Sequence, residues 1–207
     1  MQIRDIDSVR VSAMSSTPST EMYTHVQSIP TLFNLPDTKD GIQTSHCLHV
    51  TGRAWVHNFH EKAKQASEAG FKGIEIFYED LEYVVKSHAG GHRQEGSETP
   101  DEEFLLSAAR EIRETYDRVG MMIIAMKPFL FYEGLLDRDE HKAKIRKLKT
   151  WFRIVKILGT DIIQIPSNFQ PQGISGDMDL IVQDMTEIAD LGLQESPPVR
   201  FAYENLA

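Results

Sequence analysis

Side chains able to bind a cation or hold a substrate recur at one kind of place in this chain, directly after a short apolar run. Glu79 and Asp80 follow "GIEIFY", Lys127 follows "MMIIAM", Gln164 sits within "IIQIP" with Ser167 and Asn168 beyond it, and Glu204 closes "VRFAYE". Glu204 offers the hard anionic oxygen that divalent cations prefer; its plain alternative is a solvated or salt-bridged acid. A single carboxylate does not make a metal site, which needs about three or four ligands. Lys127, before Pro128, suits a substrate carboxylate or oxyanion, or else a nearby acid such as Glu75. Gln164 alternates with Ile163 and Ile165, so its amide faces away from theirs, to line a pocket or to serve as an internal structural amide. Ser167 and Asn168 either line the same pocket or open the next loop. Glu79 and Asp80 are adjacent and point apart on an extended segment, so they brace a following helix rather than divide acid and base work.

The histidines carry less. His57 and His60 are three apart, and His88 and His92 are four apart in a Gly-rich stretch, but neither pair forms H-E-x-x-H or has an evident third ligand. They read as surface or loop residues, as does His141 in "DRDEHK". Cys47, the one cysteine, excludes an internal disulfide framework and a cysteine-rich zinc site, and fits a reducing compartment.

The elements that must position these groups follow from periodicity. Val56, Phe59, Ala63 and Ala66 share a helical face that stops at Gly70, and "FKGIEIF" follows as a buried strand. Phe104, Ala108, Ile112, Tyr116 and Val119 form a second stripe ending at Gly120, before "MMIIAMKPF". Ile145, Leu148, Phe152 and Val155 form a third, ending at Gly159, before "TDIIQIP". Ile181, Met185 and Ile188 form a fourth, ending near Gly192, before "VRFAYE". Helix-then-strand repeats whose strands are nearly continuous apolar runs imply a parallel sheet, hence an α/β fold. Two closures are open, a doubly wound sheet and a (β/α)8 barrel. No G-x-G-x-x-G follows the first strand, and polar residues at the C-terminal strand ends favour the barrel, although a whole barrel takes about 250 residues. Residues 1–51 are Ser-, Thr- and Pro-rich without sustained period; "SVRVSAM" and, more weakly, "CLHV" are the strand candidates there.

Composition narrows the partners. The 207 residues are 41% hydrophobic and 26% charged, enough for one sizeable core. A formal charge of -9 with no basic stripe argues against nucleic acid. No apolar run approaches the roughly 18 residues of a membrane span, and "MQIRDIDSVR" does not resemble a secretory signal, so a cytoplasmic protein is expected.

Taken together, "GFKGIEIFYEDLE", "KPFLFYEGLLDRDEH", "TDIIQIPSNF" and "PPVRFAYE" resemble the fungal 3-dehydroshikimate dehydratases of the xylose isomerase-like sugar phosphate isomerase/epimerase superfamily. The resemblance spans about residues 53–207 and implies a (β/α)8 TIM barrel of which residues 52–207 form the N-terminal half. It also implies a lyase of quinate and shikimate breakdown that converts the small molecule 3-dehydroshikimate to protocatechuate, assisted by a divalent metal cation (Mg, Mn, Co or Zn). Glu204 then occupies the position of the first metal ligand, Lys127, Gln164 and Asn168 are substrate-binding candidates, and the acid and base are unassigned. Because the further ligands of such proteins lie on later strands, the chain is expected to be an incomplete form, with residues 16–51 inserted between first strand and first helix. The alternatives are a sugar phosphate isomerase or epimerase and an inactive product. Open edges of a half-barrel would also offer templates for self-association.

Overall fold

The computed structural model describes residues 45–47, 57–88 and 101–206, all within the unit Gln43–Ala207. The strand candidate "SVRVSAM", residues 48–50 of "CLHV", the segment 52–55, Val56 and His92 lie outside the described residues. Within 1–51, Ser45–Cys47 forms strand β1, with Ser45 opposite Gly73.

Helix α1 (Phe59–Glu68) starts where Asn58 turns its side-chain oxygen onto the backbone N–H groups of His60 and Glu61, satisfying two orphan donors of the first turn. Strand β2 (Gly73–Phe77) leads without a gap into α2 (Tyr78–His88), which carries Glu79 and Asp80 in its first turn. Acids there complement the helix dipole. Asp80 also accepts from Lys62 of α1 at 2.5 Å, with both side chains buried. Helix α3 (Glu102–Arg118) then leads to β3 (Met122–Lys127), α4 (Arg138–Leu158) to β4 (Ile162–Pro166), and α5 (Met178–Leu193) to β5 (Arg200–Glu204). Asp137 and Asp177 cap α4 and α5 as Asn58 caps α1.

The sheet runs β1-β2-β3-β4-β5, every pair parallel. A doubly wound sheet must reverse its strand order at a switch point. This order never reverses, which makes the sheet an arc of a barrel and removes the open alternative.

One face of the arc is apolar. Ile74, Ile76, Ile123, Met126, Ile163 and Ile165 pack with Ala109, Ile112, Tyr116, Leu148, Phe152 and Val155 of α3 and α4 in a single core. Trp151 is wedged between Tyr78, stacked at 5.0 Å, and Phe129, edge-on at 5.0 Å. Burial of each such large side chain stabilises by about 1.5–3 kcal/mol. One expectation needs correction. Phe104, assigned to the stripe of α3, is 59% exposed; the buried line runs through Leu105, Ala108, Ala109, Ile112 and Tyr116, and Phe104 falls off its edge in the first turn. Helix α5 ends at Leu193, near Gly192 as expected, and a Cβ at Gly192 would meet the Val199 carbonyl oxygen, so this glycine also permits close helix-to-strand approach.

Candidate active site at the strand ends

The face opposite the core carries the polar strand-end residues, and register decides which they are. Ile163 and Ile165 point into the core, so Gln164 points away from it. Phe201 of β5 packs on Phe152 of α4, which turns Ala202 and Glu204 to the same open face as Gln164. Lys127 reaches that face through a bulge: Ile74 pairs with Ile123 but Glu75 with Ala125, leaving Ile124 as the extra residue. Simple alternation would put Lys127 on the side of Ile123; the extra residue moves it across.

The result is a polar row across four neighbouring strands: Glu75, Lys127, Gln164 and Glu204. Lys127 Nζ lies 2.8 Å from Glu75 Oε2, the pairing that the sequence offers as Lys127's alternative role. Met126 is in register with Ile163, which sets Lys127 beside Gln164. Gln164 Nε2 in turn donates to Glu204 Oε2, one step diagonally across the β4–β5 ladder. Two oxygens are informative here. Gln164 Oε1 is buried and accepts no hydrogen bond. The Glu204 carboxylate has no Lys or Arg nitrogen within 4.0 Å among the described residues, so an amide orients it and leaves its charge uncompensated.

Asn168 does not join that row. Its Nδ2 donates to the Glu133 carbonyl oxygen at 2.9 Å, and its Oδ1 accepts from the Gln170 backbone N–H at 3.1 Å. Its backbone N–H donates to Glu133 Oε1 at 2.5 Å, and the Tyr203 hydroxyl donates to the same oxygen at 3.1 Å. Glu133, buried in the β3–α4 loop, thereby ties the loop after β4 to the end of β5. Burial, and next the Glu133 charge, push the Tyr203 hydroxyl up to about 12. Ser167 works on the same tie, with its N–H donating to the Glu204 carbonyl oxygen at 2.8 Å and its Oγ accepting from Leu206 N–H at 2.9 Å. Sequence reasoning missed Glu133 and Tyr203, since each has only a loop position or a strand alternation to mark it.

A second polar cluster joins the start of α4 to α5. Asp184, fully buried, accepts from Arg138 Nη2 and Nη1 (2.7 and 3.2 Å) and from the Gly134 backbone N–H (2.9 Å). His141 Nε2 lies 2.7 Å from Glu187 Oε2, and its Nδ1 lies 3.7 Å from Asp184 Oδ2. His141 is thus buried, correcting its assignment to the surface. The hydrogen bond from Arg138 to Asp184 raises the guanidinium's already high pKa, and burial followed by Glu187 and Asp184 raises that of Tyr132, whose hydroxyl donates to the Asp184 carbonyl oxygen. His141, Asp184 and Glu187 each bring a ligand atom within 4.8 Å of the others, a grouping that could hold a metal ion. The Arg138 guanidinium, however, already supplies the cation at Asp184.

Residues 63–207 match the xylose isomerase-like TIM barrel family. The chain belongs to that family. Within it, the chain is 42% identical over 157 residues to the 3-dehydroshikimate dehydratase of Neurospora crassa, covering 75% of this chain and 43% of that one. It therefore spans less than half the length of that relative. A xylose isomerase-like TIM barrel/4-hydroxyphenylpyruvate dioxygenase fusion protein superposes with a TM-score of 0.61 at 27% identity, over 80% of this chain and 22% of that one. The IOLI protein, solved with a zinc atom, superposes with a TM-score of 0.56 at 18% identity, over 78% of this chain and 51% of that one. The polar row of this chain lies at the C-terminal strand ends of that fold. Among the described residues no helix is long and apolar enough to cross a membrane.

Proposed function

We propose that this chain supplies the substrate- and metal-binding strand ends of a 3-dehydroshikimate dehydratase, which forms protocatechuate by loss of water. The observation that carries this is the 42% identity over 157 residues to the Neurospora enzyme. The polar row is compatible with it. Glu204 fits a divalent cation as one ligand, because its carboxylate is oriented but not neutralised, whereas Glu75 is already matched by Lys127. Such a cation, when bound, supplies Lewis acidity toward a ketone. Gln164 holds the Glu204 carboxylate in one orientation by its N–H, which reduces the reorganisation needed when a ligand arrives. Lys127, tethered by Glu75, presents a fixed positive charge to the carboxylate of the substrate. Asn168 acts through the loop that it ties to Glu133, and shapes the rim of the site.

The test expresses the full reading frame that encodes the chain, beside the chain alone, and follows protocatechuate by absorbance with Mg2+, Mn2+, Co2+ or Zn2+. Metal-dependent turnover, lost on chelation and in Glu204→Gln, is expected from the full product. Absence of turnover with every cation, or isomerisation of a sugar phosphate in its place, overturns the proposal.

A further inference from the structure

Glu133 departs from a rule that the other buried acids obey. It is 2% exposed, yet no Lys, Arg or His nitrogen comes within 4.0 Å of its carboxylate among the described residues. Asp80 and Asp184, buried to the same degree, are matched by Lys62 and Arg138. Both hydrogen bonds to the Glu133 side chain fall on Oε1, while Oε2 is buried and accepts none. A buried carboxylate without a cation lowers stability. Local departures of this kind gather at functional sites, where something other than stability is served.

The partners of Oε1 show which site is involved. That oxygen accepts from the Asn168 backbone N–H at 2.5 Å and from the Tyr203 hydroxyl at 3.1 Å. Asn168 follows Ser167, whose own N–H donates to the Glu204 carbonyl oxygen at 2.8 Å. Tyr203 precedes Glu204 in β5, and its side chain leaves the strand on the opposite face. One oxygen therefore braces the Glu204 backbone from two directions, through Ser167 and Asn168 beyond β4 and through Tyr203 within β5. The loop that carries Glu133 is itself pinned. Its carbonyl oxygen accepts from Asn168 Nδ2 at 2.9 Å, and Leu135 bridges Ile174 across the two loops. The Ser175 N–H donates to the Gly134 carbonyl oxygen at 2.7 Å, and the Leu136 N–H to that of Gly173 at 2.9 Å.

We propose that Glu133 is a positioning residue for Glu204, fixing the backbone from which that carboxylate reaches a divalent cation. The inference rests on the reading of Glu204 as a ligand in the proposed dehydratase. Gln164 fixes only the tip of the Glu204 side chain. Glu133 fixes its base, acting through Tyr203, Ser167 and Asn168 and not as a ligand itself. Partners outside the ligand shell hold ligands in the orientation that a metal needs, and their loss weakens binding.

Mn2+ titration of the full reading-frame product, followed by the electron paramagnetic resonance of the free ion, tests it. Glu133→Leu should weaken Mn2+ binding by at least about tenfold, whereas Glu133→Gln, which keeps an oxygen for both donors, should stay within about threefold of wild type. Tyr203→Phe should weaken binding as well; it deletes one hydroxyl and keeps the test open should Glu133→Leu fold poorly. Because Glu133 reaches β5 through that hydroxyl, the double variant should bind no more than about twofold more weakly than Glu133→Leu alone. Ile188→Val, a core truncation in α5 remote from this brace, should lower Tm and leave Mn2+ affinity unchanged. Wild-type affinity in both Glu133→Leu and Tyr203→Phe, additive losses in the double variant, or an equal loss in Ile188→Val overturns the positioning role alone, provided that Glu204→Gln weakens binding. Binding that Glu204→Gln leaves intact overturns the ligand reading and this inference with it.

Discussion

Asp184 between α4 and α5 and Glu204 at the end of β5 are both carboxylates held by hydrogen bonds, but the partners differ in charge. Arg138 and the Gly134 N–H saturate Asp184 inside the protein, at zero exposure. Glu204 is half-buried and is held by the amide of Gln164. A buried carboxylate without a cation would be prohibitively costly, so Asp184 persists only because its partner is built in. Being half-buried, Glu204 has water within reach of its carboxylate, and that leaves the carboxylate available to a ligand. The first arrangement holds structure together; the second keeps capacity in reserve.

The largest expected effect breaks the first arrangement. Asp184→Ala strips Arg138 and the Gly134 N–H of their acceptor, and should lower unfolding free energy by about 3 kcal/mol in urea titration. An effect below about 1 kcal/mol would show that Asp184 is no more structural than Glu204. Gly134→Ala tests the loop between the two regions. Gly134 has φ +72, and an added Cβ would lie 2.7 Å from the Ser175 carbonyl oxygen, so a loss of about 2 kcal/mol is expected from backbone strain and that contact. The second arrangement should respond differently. Gln164→Met removes an amide whose oxygen is already unpartnered, and is expected to change stability by less than about 1 kcal/mol, while weakening metal-dependent turnover if Gln164 orients Glu204. A stability loss as large as that of Asp184→Ala would make the polar row a structural lock.

The smallest effect concerns the tie between Glu133 and β5. Tyr203 loses its proton near the ordinary value of 10.0 when unfolded but only near about 12 when folded. The folded state retains the proton after the unfolded state has lost it, so this contribution is fully present below about pH 10 and disappears as pH rises through about 12. Ultraviolet tyrosinate titration should lose one of its late ionisations in Tyr203→Phe, those of the buried Tyr78, Tyr116 and Tyr132 remaining, and the variant's alkaline stability curve should be flatter between those pH values.

Much of the fold was legible because it depends on local pattern. The helices α1, α3, α4 and α5 and the strands β2 to β5 stand where apolar spacing and glycine punctuation place them. Helix α2 was less visible, since "YEDLEYVVKSH" follows β2 without a loop and its start reads equally as a strand end. The Lys127–Glu75 pair was anticipated from neighbouring strands, although the bulge at Ile124 that makes it geometrically possible leaves no mark in the sequence. His141 looked like a surface residue because its flanks "DRDE" and "K" are charged; its burial comes from α5, more than 40 residues away in sequence, as the separation of 46 to Glu187 shows.

By itself the sequence determined the α/β alternation, the limits of most elements and the polar chemistry at the strand ends, because helical and strand periodicities and caps act over only a few residues. Tertiary structure decided the unreversed strand order, the face on which Lys127 emerges, the partnering of Asp184 with Arg138, and the meeting of His60 with His88 at Glu111. Each of these depends on register between segments far apart in the chain, and register is set by how the apolar faces pack together, which no local pattern encodes.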